Sequence, residues 1–192
     1  MVGTTRGGPG ETPHCKSTTI AAYRDAVLQL GGDAALSSVL GLLPEPTRRV
    51  TAPGQALPAR IPVSFVVDWC TAIWEGPARR DRERYNEHLH AQVRLGFGRI
   101  QSVLLRMVNA RRLIERSPAL WEVQHSHGTL EIVHLDETAA VLSLANHLYV
   151  ETPQARATVA EIFRYLIAMT GERNVRASHA READALVVRL NW

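Results

Sequence analysis

The clearest pattern of apolar and polar positions lies in the C-terminal part of the chain. Thr152 suits a helix N-cap, Pro153 the first helical turn and Gly171 a left-handed stop. Between them, apolar side chains recur at the spacing of one helical face. They are Ala155, Val159, Ile162, Phe163 and Leu166. This pattern predicts one amphipathic helix over residues 153–170.

The period of the apolar positions falls to two on both sides of this helix. The candidate strands cover residues 129–135, 140–145, 174–179 and 185–191. In the last of them, Leu186, Val188 and Leu190 alternate with Val187, Arg189 and Asn191, which is typical of a half-buried strand. We therefore expect a four-stranded antiparallel sheet with one crossover helix, in the order β-β-α-β-β.

The N-terminal half of the chain shows helical periodicity instead. The predicted helices cover residues 19–30, 33–43, 64–75, 80–109 and 111–120, the first ending at Gly31-Gly32. Gly96-Phe97-Gly98 predicts a kink or a break, because each glycine costs about 1 kcal/mol in a helix. The prolines between residues 44 and 62 predict a long irregular connection.

These elements indicate an α+β fold, in which a helical half packs on the C-terminal sheet. We expect residues 1–17 to be a disordered tail and residues 18–192 a single domain, with a helical part over 18–120 and a sheet part over 121–192. A chain of 192 residues with 45% hydrophobic content is long enough to bury a core of its own.

Charge and cysteine usage narrow the functional classes only slightly. The net charge of +3 is carried by arginine, because Lys16 is the single lysine. Cys15 falls in the predicted tail, and Cys70 falls inside an apolar helix, where we expect a core thiol. We therefore expect no disulfide between them. No apolar run approaches the roughly 18 residues of a spanning helix, and the N-terminus shows no secretory signal. We expect a cytoplasmic protein without membrane contact.

Aromatic side chains in the helical half predict either core filling or a ligand pocket between helices and sheet. The candidate pocket residues are Phe65, Trp69, Trp74, Tyr85, Phe97 and Trp121. Under this hypothesis the ligand is a small apolar molecule, and a protein partner is the alternative. A homodimer is a separate possibility.

His125-Ser126-His127 is the strongest metal candidate in the sequence. On a strand, residues two apart share a face, so His125 and His127 could reach one metal ion. A third ligand would come from His134, His147 or His179. Because no Cys, Asp or Glu stands at ligand spacing, we expect solvated strand-edge histidines and no metal.

The sequence holds no catalytic motif. There is no Gly-x-Ser-x-Gly elbow, phosphate-binding Gly-x-x-x-x-Gly-Lys or dinucleotide-binding Gly-x-Gly-x-x-Gly. A nucleic-acid surface would use the arginine cluster of Arg106, Arg111, Arg112 and Arg116. No helix-turn-helix spacing or interleaved aromatic residues accompany it, so nucleic-acid binding is not expected. A metal-dependent His-x-His enzyme is the alternative to a non-enzymatic protein.

Several short segments resemble a known family. They are Arg111-Arg112-Leu113, residues 165–171, Asn174-Val175-Arg176-Ala177 and residues 186–192. Together they resemble an uncharacterised paralogous domain of myxobacteria, about 180 residues long. That family is in turn similar to haem–nitric-oxide-binding and vinyl-reductase-type domains, in which helices pack on a small antiparallel sheet.

The resemblance implies a sensory or regulatory module that binds a small molecule. The haem-binding branch carries a Tyr-x-Ser-x-Arg motif and a proximal histidine on a helix, whereas the other branch has cysteine-rich features. The sequence contains neither the motif nor the cysteine pattern. We therefore expect no haem and no other cofactor, and no functional residue is implied by the resemblance.

Overall fold

The computed structural model describes residues 11–105 and 108–192, and for residues 97–105 it describes the helix but not the side chains. Its elements are β1 (His14–Lys16), α1 (Thr18–Leu42), α2 (Glu45–Thr51), β2 (Arg60–Pro62), α3 (Val63–Glu75), α4 (Arg82–Leu105), α5 (Ala110–Gln124), β3 (Thr129–Leu135), β4 (Ala139–Ala145), a 3₁₀ turn (Leu148–Val150), α6 (Pro153–Met169), β5 (Arg176–Glu182) and β6 (Ala185–Asn191). The predicted α+β class is confirmed.

The chain divides into two compact units. The helical unit is Cys15–Gly98, and the sheet unit comprises Arg99–Trp192 together with the segment that ends at His14. The single domain expected for residues 18–192 stays a prediction. Among the described helices, none combines the length and the apolar character that crossing a bilayer requires.

The sheet unit is built on four antiparallel strands in the order β3-β4-β6-β5. The register places Leu142 opposite Val188 and Leu144 opposite Leu186. These side chains are buried, as is Leu190, so the predicted inward face of the last strand is confirmed. Each such burial stabilises the fold by about 1.5–3 kcal/mol.

Helices α5 and α6 cover this apolar face. The residues that join the sheet in one core cluster are Ala110, Ile114, Val159, Ala160, Phe163 and Ile167. Helix α6 begins as predicted, since Thr152 Oγ1 accepts a hydrogen bond from the Ala155 N–H at 3.1 Å. It ends at a left-handed Gly171 with φ +102°. The prediction for residues 153–170 is therefore confirmed to within one residue.

In the helical unit, α1 is interrupted where the two glycines predicted an end. Gly32 has φ 63° and ψ −163°, a conformation outside the helical region that glycine adopts freely. The core of this unit contains Tyr23, Trp69 and Tyr85, all with almost no exposed surface. Trp69 Nε1 donates to Thr51 Oγ1 at 2.9 Å, so its polar atom is satisfied inside the core.

The expected irregular connection over residues 44–62 is wrong in part, because it contains α2 and β2. Pro44 is the N-cap of α2 and Pro46 lies in its first turn, where a missing N–H costs nothing. The helix is anchored to α3 by the Trp69–Thr51 hydrogen bond and by Thr47, whose hydroxyl donates to Asp68. Pro44 and Pro46 therefore marked a helix start, whereas Pro53 and Pro58 lie in the irregular stretch between α2 and β2.

Three further boundaries differ from the sequence predictions. Residues 14–16 of the expected tail form β1, which pairs with β2, and Cys15 is fully buried; such long-range pairing leaves no local signal. Helix α4 continues through Gly96-Phe97-Gly98 without the predicted break into two helices. Helix α5 extends to Gln124 although Pro118 lies inside it, so the helical part does not end at residue 120.

The N-cap of α6 provides a test of this architecture. Thr152→Ala removes the hydroxyl that accepts from Ala155 N–H, so we expect the free energy of unfolding to fall by about 1 kcal/mol. Urea denaturation followed by circular dichroism measures the change. Thr71→Ala is the matched control, because that hydroxyl bonds the Val67 carbonyl within a helix and caps nothing. Equal losses in the two variants would contradict the capping role.

Candidate functional site

The candidate pocket residues lie in both units. In the helical unit, Trp74 meets Tyr85 edge to face, with ring centroids 5.5 Å apart, and Trp69 and Phe65 lie on α3. Trp121 belongs to α5 in the sheet unit. The Phe97 side chain lies outside the described residues. The structure thus brings Trp74 and Tyr85 together, and the six-residue ligand pocket stays a prediction.

Cys70 is a core thiol, as expected. Its Sγ lies 3.2 Å from the hydroxyl of Tyr23, and the Tyr85 hydroxyl also bonds it. Burial raises the pKa of the Cys70 thiol well above its ordinary value, and the two tyrosine hydroxyls lower it only in part. At neutral pH the Cys70 thiol is therefore protonated, and a protonated thiol is a weak nucleophile.

The strand assignment of His125-Ser126-His127 is wrong. Helix α5 continues to Gln124, and the His125 N–H donates to the Trp121 carbonyl at 2.8 Å as the helix ends. His125 is 8% exposed, and His127 is half-buried in the connection before β3. For His125 the expectation of a solvated strand-edge histidine fails, because the connection folds inward at the end of the helix. His134 and His179, in contrast, are exposed on the edge strands β3 and β5.

Four ring side chains pack together at this point, in what we call the histidine cluster: Trp121, His125, His147 and Tyr149. The Trp121 and His125 rings stack with centroids 4.1 Å apart, as residues one helical turn from each other. The His147 ring stands edge to face against both, at 4.9 Å from each centroid. Tyr149 lies 4.4 Å from His147.

Local backbone geometry fixes the His147 ring in the histidine cluster. Asn146 adopts a left-handed φ of 55° directly after β4, and the Tyr149 N–H donates to His147 Nδ1 at 3.2 Å. Because Nδ1 accepts a hydrogen bond, the proton of the neutral ring lies on Nε2. Among the described residues, that buried Nε2 atom has no hydrogen-bond partner.

The environment keeps His147 uncharged. Burial is the main cause that lowers its pKa, and the neighbouring His125 and His127 lower it further, to about 2. A positive charge at this position would be buried among the rings of Trp121, His125 and Tyr149, where desolvation makes it costly. The cluster therefore contains a neutral His147 imidazole that packs edge to face against the stacked rings of Trp121 and His125.

The metal candidates His125 and His127 lie between α5 and β3. Within the described ranges, no three His, Cys, Asp or Glu side chains are grouped as metal ligands. The His125 and His147 rings meet at 88°, which is an edge-to-face packing contact. His134 and His179, the other candidates for a third ligand, lie on β3 and β5.

The arginine cluster is partly neutralised. Arg111 donates to Glu115 at 3.1 Å and to Glu137 at 2.8 Å, and all three side chains are exposed. These carboxylates raise the pKa of Arg111, so its charge is retained but shared with two anions. Arg106 lies outside the described residues. The predicted cationic surface is therefore weaker than its sequence indicates.

Solved structures with the same fold are haem–nitric-oxide-binding (H-NOX) domains. The chain is similar to an H-NOX protein from K. algicida (9% identity, TM-score 0.58, 92% of this chain and 95% of that chain). It is also similar to a variant of an H-NOX protein from S. oneidensis (12% identity, TM-score 0.59, 92% and 95%). A third is an oxygen-binding H-NOX domain related to soluble guanylate cyclases (11% identity, TM-score 0.60, 92% and 94%).

At these identities the likeness establishes the fold alone, and the fold is H-NOX-like, as the resemblance implied. No family profile matches the chain, and no curated protein matches it either. The myxobacterial family and the vinyl-reductase-type relationship therefore stay predictions.

The neighbours make haem a candidate cofactor, against our expectation of none, because the K. algicida protein is an Fe(II) form and another neighbour concerns haem in a distorted porphyrin. The residues of this chain do not fit that group. The described helices carry histidine only at His88 and His90 on α4, and none on α5 or α6. The cavity beside His88 is open and rimmed by Arg79, Arg84 and Glu87, without the enclosed apolar walls that a porphyrin needs.

The buried His147 makes the stability of the protein depend on pH. The folded pKa of about 2 lies below the ordinary 6.5, so below about pH 6.5 the unfolded chain binds a proton that the folded chain does not. We expect His147 to remove about 2 kcal/mol of unfolding free energy between about pH 7 and pH 5. Denaturant titrations across this range measure the slope.

The His147 prediction has a matched pair of variants. His147→Asn keeps an acceptor for the Tyr149 N–H but does not titrate, so its slope should be shallower although its stability at neutral pH falls. His134→Gln is the reference variant, because it removes an exposed histidine that lies outside the cluster. A His147→Asn slope equal to that of the wild type would contradict the assignment.

Gly128 leaves room for the His147 side chain, because glycine has no Cβ. It has φ +82°, and an added Cβ would lie 3.0 Å from His147 Cβ and Cδ2. We expect Gly128→Ala to lower the unfolding free energy by about 2–4 kcal/mol, from left-handed strain and the close contact together. Gly54→Ala is the control, since Gly54 has φ +83° with nothing within 4 Å, and should lose only about 1–2 kcal/mol. Equal losses of unfolding free energy in the two variants would contradict the role of the close contact, because they would show that His147 moves aside at little cost.

Proposed function

We propose that this chain is a non-enzymatic sensory or regulatory domain that binds a small molecule other than haem. The observation that carries the proposal is the H-NOX-like fold, which extends over 92% of the chain and at least 94% of the compared domains. Because a fold can host several functions, the choice of ligand rests on the residues of this chain.

The described side chains support a binding role over catalysis. Cys70 is a protonated core thiol, and His147 is neutral and packed among rings. His134 at the end of β3 lies 3.0 Å from Asp136 in the turn that follows, but both side chains are exposed. Asp136 also accepts the N–H groups of Thr138 and Ala139. Its pKa is lowered chiefly by the Thr138 N–H, as in a structural turn. No observation favours the His-x-His enzyme or a nucleic-acid reader.

A reducing, cytoplasmic location is part of the proposal. It is supported by Cys15 and Cys70, which are both buried and unbridged. Burial raises the pKa of Cys15 to about 12, so neither thiol is poised for oxidation.

The proposal is tested on protein purified gently from its own host. Native mass spectrometry is expected to show a fraction whose mass exceeds that of the chain by a small molecule, and denaturation should release it. Absorption spectra of the same sample are expected to lack a Soret band. Recombinant protein refolded from denaturant is the ligand-free control.

Two outcomes would overturn this assignment. A stoichiometric Soret band that survives gel filtration would mean that haem binds despite the missing motif. A strictly unliganded chain, in every host preparation, would remove the small-molecule role.

A further inference from the structure

The helical unit contains a cavity of about 650 Å³, which we call the α1–α4 cavity. Three segments line it: the part of α1 around and after Gly31, the connection that follows α3, and the first turns of α4. One wall consists of small side chains, from Ala34, Ala35 and Ser38. Gly76 closes this wall tightly, because an added Cβ would lie 3.1 Å from Ser38 Oγ. A volume of this size accommodates a small organic molecule.

The rim of the α1–α4 cavity is cationic. Arg79 and Arg84 line it, and neither guanidinium has an ion-pair partner among the described residues. Their neighbours are engaged elsewhere: Arg80 donates to Glu75 at 2.6 Å, and the Arg82 guanidinium lies 5.0 Å over the Trp74 ring. The two unpaired arginines therefore leave charge available to a ligand.

The backbone holds Arg79 at this rim in an uncommon conformation. Arg79 and Arg80 have φ values of 52° and 59°, and left-handed residues other than glycine cost about 1 kcal/mol or more each. The conformation is fixed by the Arg80 N–H, which donates to the Trp74 carbonyl at 2.8 Å. This turn places Arg79 at the rim of the cavity.

The third polar group of the α1–α4 cavity is buried. His88 lines it, is only 6% exposed, and lies one helical turn after Arg84 on the same face of α4. Its Nδ1 atom has no hydrogen-bond partner within the part of the chain that the structure describes. Burial lowers its pKa, and Glu87 only partly reverses that, so the imidazole is neutral. A buried polar group without a partner is costly unless a ligand or water satisfies it.

The charges around the α1–α4 cavity favour a ligand with one negative charge. Two arginines and the carboxylate of Glu87 leave a net charge of +1, because His88 is neutral. A carboxylate matches this charge and the planar, two-pronged geometry of a guanidinium. A phosphate dianion would leave an excess negative charge beside Glu87.

We infer that the α1–α4 cavity binds a small organic carboxylate, whose head group pairs with Arg79 and Arg84 beside His88 and whose apolar part lies against Ala34 and Ala35. This inference rests on the proposed sensory function and adds to it the place and the chemical class of the ligand. The site lies entirely within the helical unit.

Hexanoate is the probe for the test, with 1-hexanol as the neutral match and inorganic phosphate as the alternative anion. The ring C–H signals of His88, assigned through the backbone in the full chain, are followed by NMR. We expect hexanoate to shift them saturably and 1-hexanol and phosphate to bind at least about tenfold more weakly. Because an anion stabilises the imidazolium, the His88 pKa should also rise when hexanoate is bound.

Arg84→Gln removes one rim charge from an exposed position, so the variant should fold, and its dissociation constant for hexanoate should rise about tenfold. Arg116→Gln, an exposed arginine in the sheet unit, should bind as the wild type does.

Three results would overturn the carboxylate site: no saturable shift at His88, equal affinity for hexanoate and 1-hexanol, or unchanged affinity in Arg84→Gln. Tighter binding of phosphate would overturn the ligand class. If protein from the host carries a ligand that Arg84→Gln retains in full, the sensory function stands and this site fails. If hexanoate binds as expected but host protein is always empty, the site stands and the sensory function fails.

Discussion

The sheet unit depends on one constraint, namely that a single face of four strands must be covered by apolar side chains. Leu142 and Leu144 on β4 lie opposite Val188 and Leu186 on β6. A shift of the register by one residue would turn all of these side chains toward solvent, so the hydrophobic pattern specifies the pairing. Helices α5 and α6 complete the core from the same face. The positions of the loops, and hence of the histidine cluster, follow from that pairing.

The histidine cluster forms where the end of α5 meets the turn after β4. Trp121 and His125 come from the end of α5, and His147 comes from the turn directly after β4. The contact among their rings removes water, and desolvation then decides the protonation state of His147. A histidine that would titrate freely in solution becomes an aromatic packing residue. The same desolvation makes the cluster a poor place for a cation, unless ligands of opposite charge accompany it.

The H-NOX-like fold and the chemistry of this chain point in different directions. The fold is that of haem-containing neighbours, whereas the helices carry no Tyr-x-Ser-x-Arg motif and place their histidines on α4. Within the described part of the chain, the side chains of Arg79 and Arg84 and the Nδ1 atom of His88 instead stand without a partner beside a cavity of the helical unit. A fold of this type can thus retain its architecture while its side chains suit another ligand, because the core positions and the ligand-contacting positions are different residues.

The sequence alone determined the elements whose signals are local. The α6 helix, its Thr152 cap, its Gly171 end and the strands around it were predictable, because capping residues and periodicity act within a few positions. The break of α1 at Gly32 was predictable for the same reason. Tertiary structure decided the rest. Proline signals did not reveal α2, which is stabilised by Trp69 of a later helix, and β1 exists only through its pairing with β2.

The candidate sites were decided almost wholly by tertiary structure. His125 and His127 were visible in the sequence, but their burial depends on where α5 ends, and the role of His147 depends on contacts with residues more than twenty positions away. Arg79, Arg84 and His88 belong to a mixed-charge segment that indicates an exposed helix face when taken locally. Their common cavity is lined by α1, by the connection after α3 and by the start of α4, with Ala34, Ala35 and Ser38 on the α1 wall, and no local pattern encodes which distant helix will supply that wall.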